Sequence, residues 1–292
     1  MPHRIPRLSR SYLFAPGSNE KLLSKVFTVG ADAVLFDLED AVAPSEKARA
    51  RAMVAKAVAE SAGNEIPVFV RINGIDSDWW RTDIRAIVGP GLSAIRVPKC
   101  EFAADLIRVN EVLSEAERAA GLPVGAIGVA CAIESAKGVL NAQEIARAPR
   151  VLHLSFGASD YIRDLAIEHS DDERETLYAK SHIATVSRAM GLDAPVAAVW
   201  TKLSDLEGLR RSTEAYRRLG FFGRACIHPS QVHIVNDVFT PTEAQIEQAM
   251  KTIELYETAL ASGSAAVQDE RGQFIDEAIA RRARDILARA KR

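Results

Sequence analysis

The stretch Ile127-Gly128-Val129-Ala130-Cys131-Ala132-Ile133-Glu134 decides the fold class. Its first seven residues carry no charge and no alternating polar position. That pattern marks a strand buried on both faces, the kind found in parallel sheets covered by helices. A carboxylate enters only where the run ends. Working outward, comparable runs recur at Ser11–Ala15, Ala33–Asp37, Val68–Ile72, Ala94–Pro98, Val151–Phe156, Val196–Trp200 and, more weakly, Ala225–His228. Between them lie stretches of helical period. In Glu20–Val29 the apolar Leu22, Leu23, Val26 and Phe27 share one face. Ser204-Asp205-Leu206-Glu207 has the spacing of a capping box with Ser204 at the N-cap, and its helix runs to Leu219 before Gly220 stops it. Eight strand-then-helix units predict an α/β fold, a (β/α)8 TIM barrel, with a doubly wound open sheet as the competing arrangement.

The texture changes after residue 239. Thr240-Pro241-Thr242-Glu243 reads as a helix start with Pro at the first position, and the helical spacing continues to about Leu260. Ala261-Ser262-Gly263-Ser264 is a joint. Val267-Gln268 and Gln273–Ile275 flank Asp269-Glu270-Arg271-Gly272 as a small hairpin. A last helix follows Asp276, with Ile279, Ala283, Ile286, Leu287 and Ala290 on one side. The division that results is a catalytic barrel over residues 1–239 and a C-terminal helical extension over 240–292, serving as a lid or oligomerisation segment.

Composition removes several function classes. The 37 basic residues nearly balance 39 acidic ones, giving a formal net charge of −2, so a general nucleic-acid binder with a strongly basic face is not expected. No run reaches the roughly 18 apolar residues of a membrane-spanning helix. Met1–Arg10 carries Arg4, Arg7 and Arg10 without an apolar segment, which leaves room only for a very short transit peptide. Cys100, Cys131 and Cys226 never stand as CxxC, so neither a disulfide framework nor a cysteine zinc site is expected, and a reducing cytoplasm is the expected compartment. No GxGxxG follows a strand, and GxxxxGK[ST], HExxH and GxSxG do not occur. Dinucleotide redox, P-loop, zincin and α/β-hydrolase chemistry therefore lack their local signatures.

In such a barrel the functional groups lie just after the strands. The run ends supply Pro16-Gly17, Asp37-Leu38-Glu39-Asp40, Arg71 with Asn73, Pro98-Lys99, Glu134, Gly157 with Asp160, and His228. Carboxylates, an arginine and a lysine on one rim describe a site for a hard cation and an anionic substrate. Glu134 and Asp160 each also read as helix caps. Following adjacent strands, however, they form a pair that repels unless it shares a cation or proton, and Mg2+ suits so few carboxylates better than zinc, which would want histidines. Arg71 suits bidentate capture of a carboxylate, or an internal ion pair with Glu39 or Asp40. Lys99 and His228 also read as a solvated charge and a plain hydrogen-bonded imidazole. Trp79-Trp80 reads as packing of a long loop more than as an aromatic lid, and Gly74-Ile75-Asp76-Ser77 reads as a turn.

The ordered set resembles a known family. Arg10-Ser11-Tyr12-Leu13-Phe14-Ala15-Pro16-Gly17, Phe36–Val42, Val70–Asn73, Val97-Pro98-Lys99, Ile133-Glu134-Ser135 and Phe156–Asp160 are similar to segments of citrate lyase β-subunit-like proteins of the HpcH/HpaI aldolase/citrate lyase family. Leu219–Gly223, Ile227–Gln231 and Phe274-Ile275-Asp276 extend the likeness almost to the end of the chain. The resemblance implies a TIM-barrel, Mg2+-dependent carbon–carbon lyase acting on short hydroxyacyl thioesters. It implies that Glu134 and Asp160 hold Mg2+, that Arg71 binds the carboxylate of the oxo-acid half, and that Asp37 to Asp40, with Glu39 and Asp40 among them, support that arginine. It further implies homotrimers or hexamers in which Asp276 acts as acid/base at a neighbouring subunit's site. Relatives often carry Pro two residues after that Asp, where this chain has Ala278.

The implied reaction is retro-Claisen cleavage of a malyl-CoA or citramalyl-CoA type substrate to acetyl-CoA and glyoxylate or pyruvate. Rim segments Gly17 to Lys21, after Pro16, and Gly220 to Arg224 are the expected places for the thioester carrier, and Lys99 is a further substrate contact. Alternatives are the citryl-thioester lyase subunit of a citrate lyase complex, a malyl-CoA thioesterase, and a non-catalytic binding barrel.

Overall fold

The computed structural model describes residues 8–290. The chain divides into two compact units, one running to Asn236 and one beginning at Asp237. The first is α/β. Its strands are β1 (Ser11–Pro16), β2 (Ala33–Asp37), β3 (Val68–Arg71), β4 (Ala94–Val97), β5 (Gly128–Ile133), β6 (Val151–Phe156) and β7 (Arg224–Cys226). Among the described residues they form one parallel sheet in the order β6-β5-β4-β3-β2-β1-β7. β2 and β5 are buried along their whole length, as continuous apolar runs require.

The sheet curls around its own core. Tyr12, Leu35, Phe69 and Val196 pack with Ala33, Ala94 and Ala130, so large side chains on some strands meet small ones on others. Tyr12 and Phe69 meet edge to face at 5.3 Å.

The expectation of eight full strands is corrected at one place. Val196–Trp200 forms no ladder; Val196 bridges to Ser155 of β6, and Ala197 bridges to Arg224 of β7. Val196 N donates to Leu154 O at 3.0 Å and Ala197 N to Gly223 O at 2.9 Å. Pro195 has no N–H to lengthen this pairing. The result is a seven-stranded curled parallel sheet with single bridges between its two outer strands.

Two helix starts also move. The cap of helix Leu206–Arg218 is Asp205, not Ser204: Asp205 Oδ1 accepts from Gly208 N at 2.8 Å. Only glycine fits at 208, because a Cβ there would stand 2.6 Å from Trp200 Cζ2. Glu20–Lys25 is a single short helix capped by Asn19, continued by a 3-10 turn. Arg4 and Arg7 lie outside the described residues. Arg10 grips Asp32 through Nε at 2.7 Å and Nη2 at 2.8 Å.

In the second unit, helix Glu243–Ala261 opens on a capping box between Thr242 and Gln245, so Pro241 precedes the cap and does not fill the first helical position. β8 (Val267–Gln268) and β9 (Phe274–Ile275) pair antiparallel as expected. Asp269 Oδ1 ties their turn by accepting from Gln273 N at 2.8 Å. Helix Glu277–Ala290 follows, and Ala280 packs with Ile275 and Tyr256. Among the described residues no helix is long and apolar enough to cross a membrane, and all three cysteines are free and buried.

Candidate active site

Side chains two apart on a strand share a face. From the core residues Leu35, Phe69 and Ala94, two further steps reach Asp37, Arg71 and Arg96; from Ala130, four steps reach Glu134. The inner face of the sheet thus turns from apolar to charged at its C-terminal end.

Arg71 is the hub. Its Nε donates to Asp37 Oδ1 at 2.6 Å and its Nη2 to Asp37 Oδ2 at 2.7 Å. Nη1 lies 3.0 Å from Glu39 Oε2 and 3.8 Å from Asp40 Oδ2. Asp37 also accepts from the amides of Glu39 and Ala41, so the sharp turn after β2 is folded onto that carboxylate. Burial pushes the Asp37 carboxyl up, but the Arg71 charge and these donors overcome it and hold the group low. Glu39 goes the other way: burial outweighs Arg71 and Lys99, and its carboxyl is raised. Lys99 Nζ donates to Glu39 Oε1 at 2.8 Å and stands 3.7 Å from Asp40 Oδ1. Its backbone is left-handed, φ 49°, an unfavourable state for a side chain with a Cβ.

Glu134 is buried, and among the described residues it makes no hydrogen bond and no ion pair. Burial, opposed by Arg96 and reinforced by Glu39 and Asp160, pushes its carboxyl up to about 7. Gly157 lies against it: a Cβ there would stand 2.8 Å from Glu134 Cδ, so glycine is required for the carboxylate to lie across the end of β6. Asp160, in the first turn of helix Ala158–Leu165, pairs with Arg163 at 2.8 Å. No cluster of three or more ligating side chains occurs among the described residues. Two carboxylates close enough for one to raise the other, Glu134 desolvated and without a donor, fit Mg2+, which takes one or two carboxylates and keeps its waters.

The remaining expected residues fall out unevenly. Gly17 N donates to Asp37 O at 2.8 Å, and a Cβ on Gly17 would lie 2.6 Å from that oxygen, so Pro16-Gly17 rides directly on β2. Lys21 is exposed. His228 is exposed and bonded locally, Nδ1 to Ser230 Oγ at 2.8 Å. Trp80 is buried packing, and Ser77 N donating to Gly74 O closes the turn. Asp276 belongs to the second unit, where its Oδ1 accepts from Ile279 N at 3.1 Å and caps the last helix. Arg224 is held by partners within its own unit. It is the first residue of β7, is buried, and donates to Ser212 Oγ and Thr213 Oγ1, both at 3.0 Å.

Two residues of the site escape the sequence reading. Arg96 is buried within electrostatic reach of Glu134, and Lys47 Nζ donates to Leu38 O and Glu39 O, each at 2.7 Å, fixing the turn that carries Glu39.

Residues 10–229 match the HpcH/HpaI aldolase/citrate lyase family. The chain is 38% identical over 282 residues to citrate lyase subunit beta of Leuconostoc mesenteroides subsp. cremoris, covering 96% of this chain and 93% of that one. It is 37% identical over 285 residues to (3S)-malyl-CoA thioesterase of Cereibacter sphaeroides (strain ATCC 17029), covering 97% and 94%. It superposes with a TM-score of 0.78 and 26% identity on protein CitE from Mycobacterium tuberculosis, solved with magnesium, acetoacetate and coenzyme A, over 97% of this chain and 98% of that one. The chain belongs to the HpcH/HpaI aldolase/citrate lyase family.

Proposed function

We propose that this chain is a Mg2+-dependent carbon–carbon lyase acting on a short 3-hydroxyacyl thioester whose carbinol carbon bears a carboxylate. Malyl-CoA, citramalyl-CoA and citryl thioesters share that frame and differ only in the third substituent: hydrogen, methyl or carboxymethyl. The products are an acetyl thioester and a 2-oxo acid. The observation that carries the reading is the desolvated, donorless Glu134, within electrostatic reach of Asp160 and of an arginine held by its inner edge. The bridges at Val196 and Ala197 are read as the eighth position of a closed barrel, which gathers all strand ends on one rim.

Arg71 has five N–H groups, and three of them face Asp37 and Glu39. The other two are free to take the substrate carboxylate, which orients the scissile bond. Glu39, Asp40, Lys99 and Lys47 keep that guanidinium from turning. Glu134 and Asp160 would hold Mg2+, which would supply the Lewis acidity that lowers the pKa of the carbinol proton. The bond from the carbinol carbon to the thioester α-carbon breaks. Its electron pair goes to the α-carbon as an enolate, the hydroxyl gives up its proton to solvent water, and the carbinol becomes the 2-oxo group. Asp276 of a neighbouring subunit in a trimer or hexamer is the proposed donor of the proton that turns the enolate into acetyl. The carrier runs over Pro16, Gly17 and Lys21.

The same site with water admitted gives the thioesterase outcome named for the Cereibacter relative. One assay decides between them. Purified protein is incubated with malyl-CoA, citramalyl-CoA or citryl-CoA, with Mg2+ or with EDTA, and acetyl-CoA, free CoA and oxo acid are followed together. EDTA-sensitive release of acetyl-CoA with an oxo acid is expected. Free CoA with intact hydroxy acid makes the chain a thioesterase, and silence on all three overturns the reading for free CoA esters.

A further inference from the structure

Away from the arginine and carboxylate site, another cavity of about 180 Å3 lies against the outer face of the sheet. β1 and β7 pair with Tyr12 opposite Ala225, and Tyr12 belongs to the inner core. Arg224, one residue earlier, therefore points outward. There it meets helix Leu206–Arg218 through Ser212 and Thr213. Arg224, Trp200 and Tyr216 line the cavity, whereas Asp37, Arg71, Glu134 and Asp160 do not. The exposed His169 and Lys202 also line it, so it opens to solvent.

Arg224 is 1% exposed, and it reaches both hydroxyls through Nη1 alone. Its other edge, formed by Nε and Nη2, makes no hydrogen bond among the described residues. That is the edge with which Arg71 holds Asp37 side-on. The carboxylate in the cavity wall does not serve it. Glu173 Oε2 accepts from Lys180 Nζ at 2.7 Å, and Oε1 accepts from Ser212 Oγ at 2.6 Å. Glu173 and Lys180 cancel, so the group keeps one positive charge, buried at a cost. The rings beside it are fixed: Trp200 Nε1 donates to Asp205 O at 2.9 Å, and Tyr216 meets Phe221 edge to face at 4.9 Å. The guanidinium stands 5.8 Å from the Trp200 centroid and 5.3 Å from that of Tyr216. Ala158, Ile162 and Ala198 add an apolar wall.

We propose that this cavity binds a short-chain aliphatic monocarboxylate. The Nε–Nη2 edge of Arg224 receives its two oxygens, and its alkyl part lies against Ala158, Ile162 and Ala198. A bidentate carboxylate matches that edge in geometry and leaves the group neutral. An inorganic oxyanion matches it less well, because the apolar wall has nothing to donate to the remaining oxygens. A cavity of about 150 Å3 takes benzene, so this one has room for about seven or eight heavy atoms. The site is independent of the lyase reading above, since no residue given a part in that chemistry lines it.

The test is an NMR titration of the full-length protein with sodium 3-methylbutanoate and with its neutral isostere, 3-methylbutanamide. The acid is expected to bind saturably with a Kd on the order of 1 mM, and the amide at least about tenfold more weakly. Arg224→Met should weaken the acid at least about tenfold and move the amide by less than about threefold. Ala198→Leu keeps the guanidinium but fills the cavity, and it should weaken both. Arg71→Met should move the acid by less than about threefold, since Arg71 is not part of this cavity. No saturable binding of the acid up to about 50 mM would mean that the cavity takes water only, and would overturn the proposal. Equal affinities for acid and amide would overturn it too, as would loss of the acid in Arg71→Met with none in Ala198→Leu. The wild-type ranking and Ala198→Leu decide the matter even if Arg224→Met fails to fold.

Discussion

Two buried arginine–carboxylate groups occupy opposite ends of the same strands. At the N-terminal ends of β5 and β6, Glu117 is fully buried and Arg150 nearly so. Glu117 Oε1 accepts from Arg150 Nη1 at 2.7 Å and Ile127 N at 2.8 Å, and Oε2 accepts from Gly125 N at 2.9 Å. Arg150 spends its other donors on Asn110 Oδ1 at 2.5 Å and Ser114 Oγ at 2.7 Å. At the C-terminal ends the same residue types are left open: Arg96 has no acceptor, Glu134 no donor, and Glu39 Oε2 no aligned hydrogen bond despite Arg71 at 3.0 Å. Backbone strain does not separate the two ends, since Lys99 and Arg150 are both left-handed, at φ 49° and 67°. Satisfaction does. The lower group is completed by the fold; the upper one is completed only by something the fold does not contain.

Breaking the closed group should give the largest effect. Arg150→Ala leaves Glu117 charged and buried without its main partner, and about 3–5 kcal/mol of stability should be lost. Turnover per folded molecule should not change. Denaturant unfolding beside kcat checks this, and a fall in kcat at unchanged stability would reverse the roles assigned to the two ends. Glu134→Gln should do the opposite. It removes a desolvated charge, so stability holds or rises, while kcat/KM falls by about 10²–10³, roughly 3–4 kcal/mol of transition-state stabilisation. A wild-type kcat/KM for Glu134→Gln would remove Glu134 from the chemistry.

How much of this is legible in the sequence depends on whether a residue interrupts a pattern. β5 and β2 are plain because both faces are apolar, and Glu134 and Arg71 are plain because they end such runs. The Val196 segment misleads because a short apolar run looks the same whether it forms a ladder or single bridges. Ser204 and Asp205 both have capping side chains, and the fold brings the Asp205 oxygen, not that of Ser204, to Gly208 N. Arg96 is hidden inside the run Ala94–Pro98, where the apolar neighbours dominate. A signal was present: a charge two residues beyond Ala94, within a strand buried on both faces, must point into the same interior as Ala94. Lys47 gives no such signal, since a lysine at the start of a helix is usually solvated, and only the tertiary fold brings its ammonium under the Leu38 and Glu39 carbonyls.

The smallest expected effect is a dependence on pH that carries opposite signs at the two ends. Burial pushes the Glu117 carboxyl up, but Arg150 and the amides of Ile127 and Gly125 prevail, so it is held below its ordinary value of 4.5. A carboxyl held low in the folded state stabilises it fully above the unfolded value, and that contribution fades as the pH falls through the folded one. The stability gap between wild type and Glu117→Gln should therefore be flat from about pH 8 to 5 and narrow below about 4.5, by on the order of 1 kcal/mol. In EDTA-treated protein Glu134, pushed up to about 7 from 4.5, binds a proton more readily folded than unfolded. The wild type should thus lose stability relative to Glu134→Gln as pH rises from about 4.5 toward 7. Unfolding midpoints of the three proteins across that range read both trends at once. Parallel curves would mean that the two ends are electrostatically alike, and the contrast between a closed and an open group would then have to rest on catalysis alone.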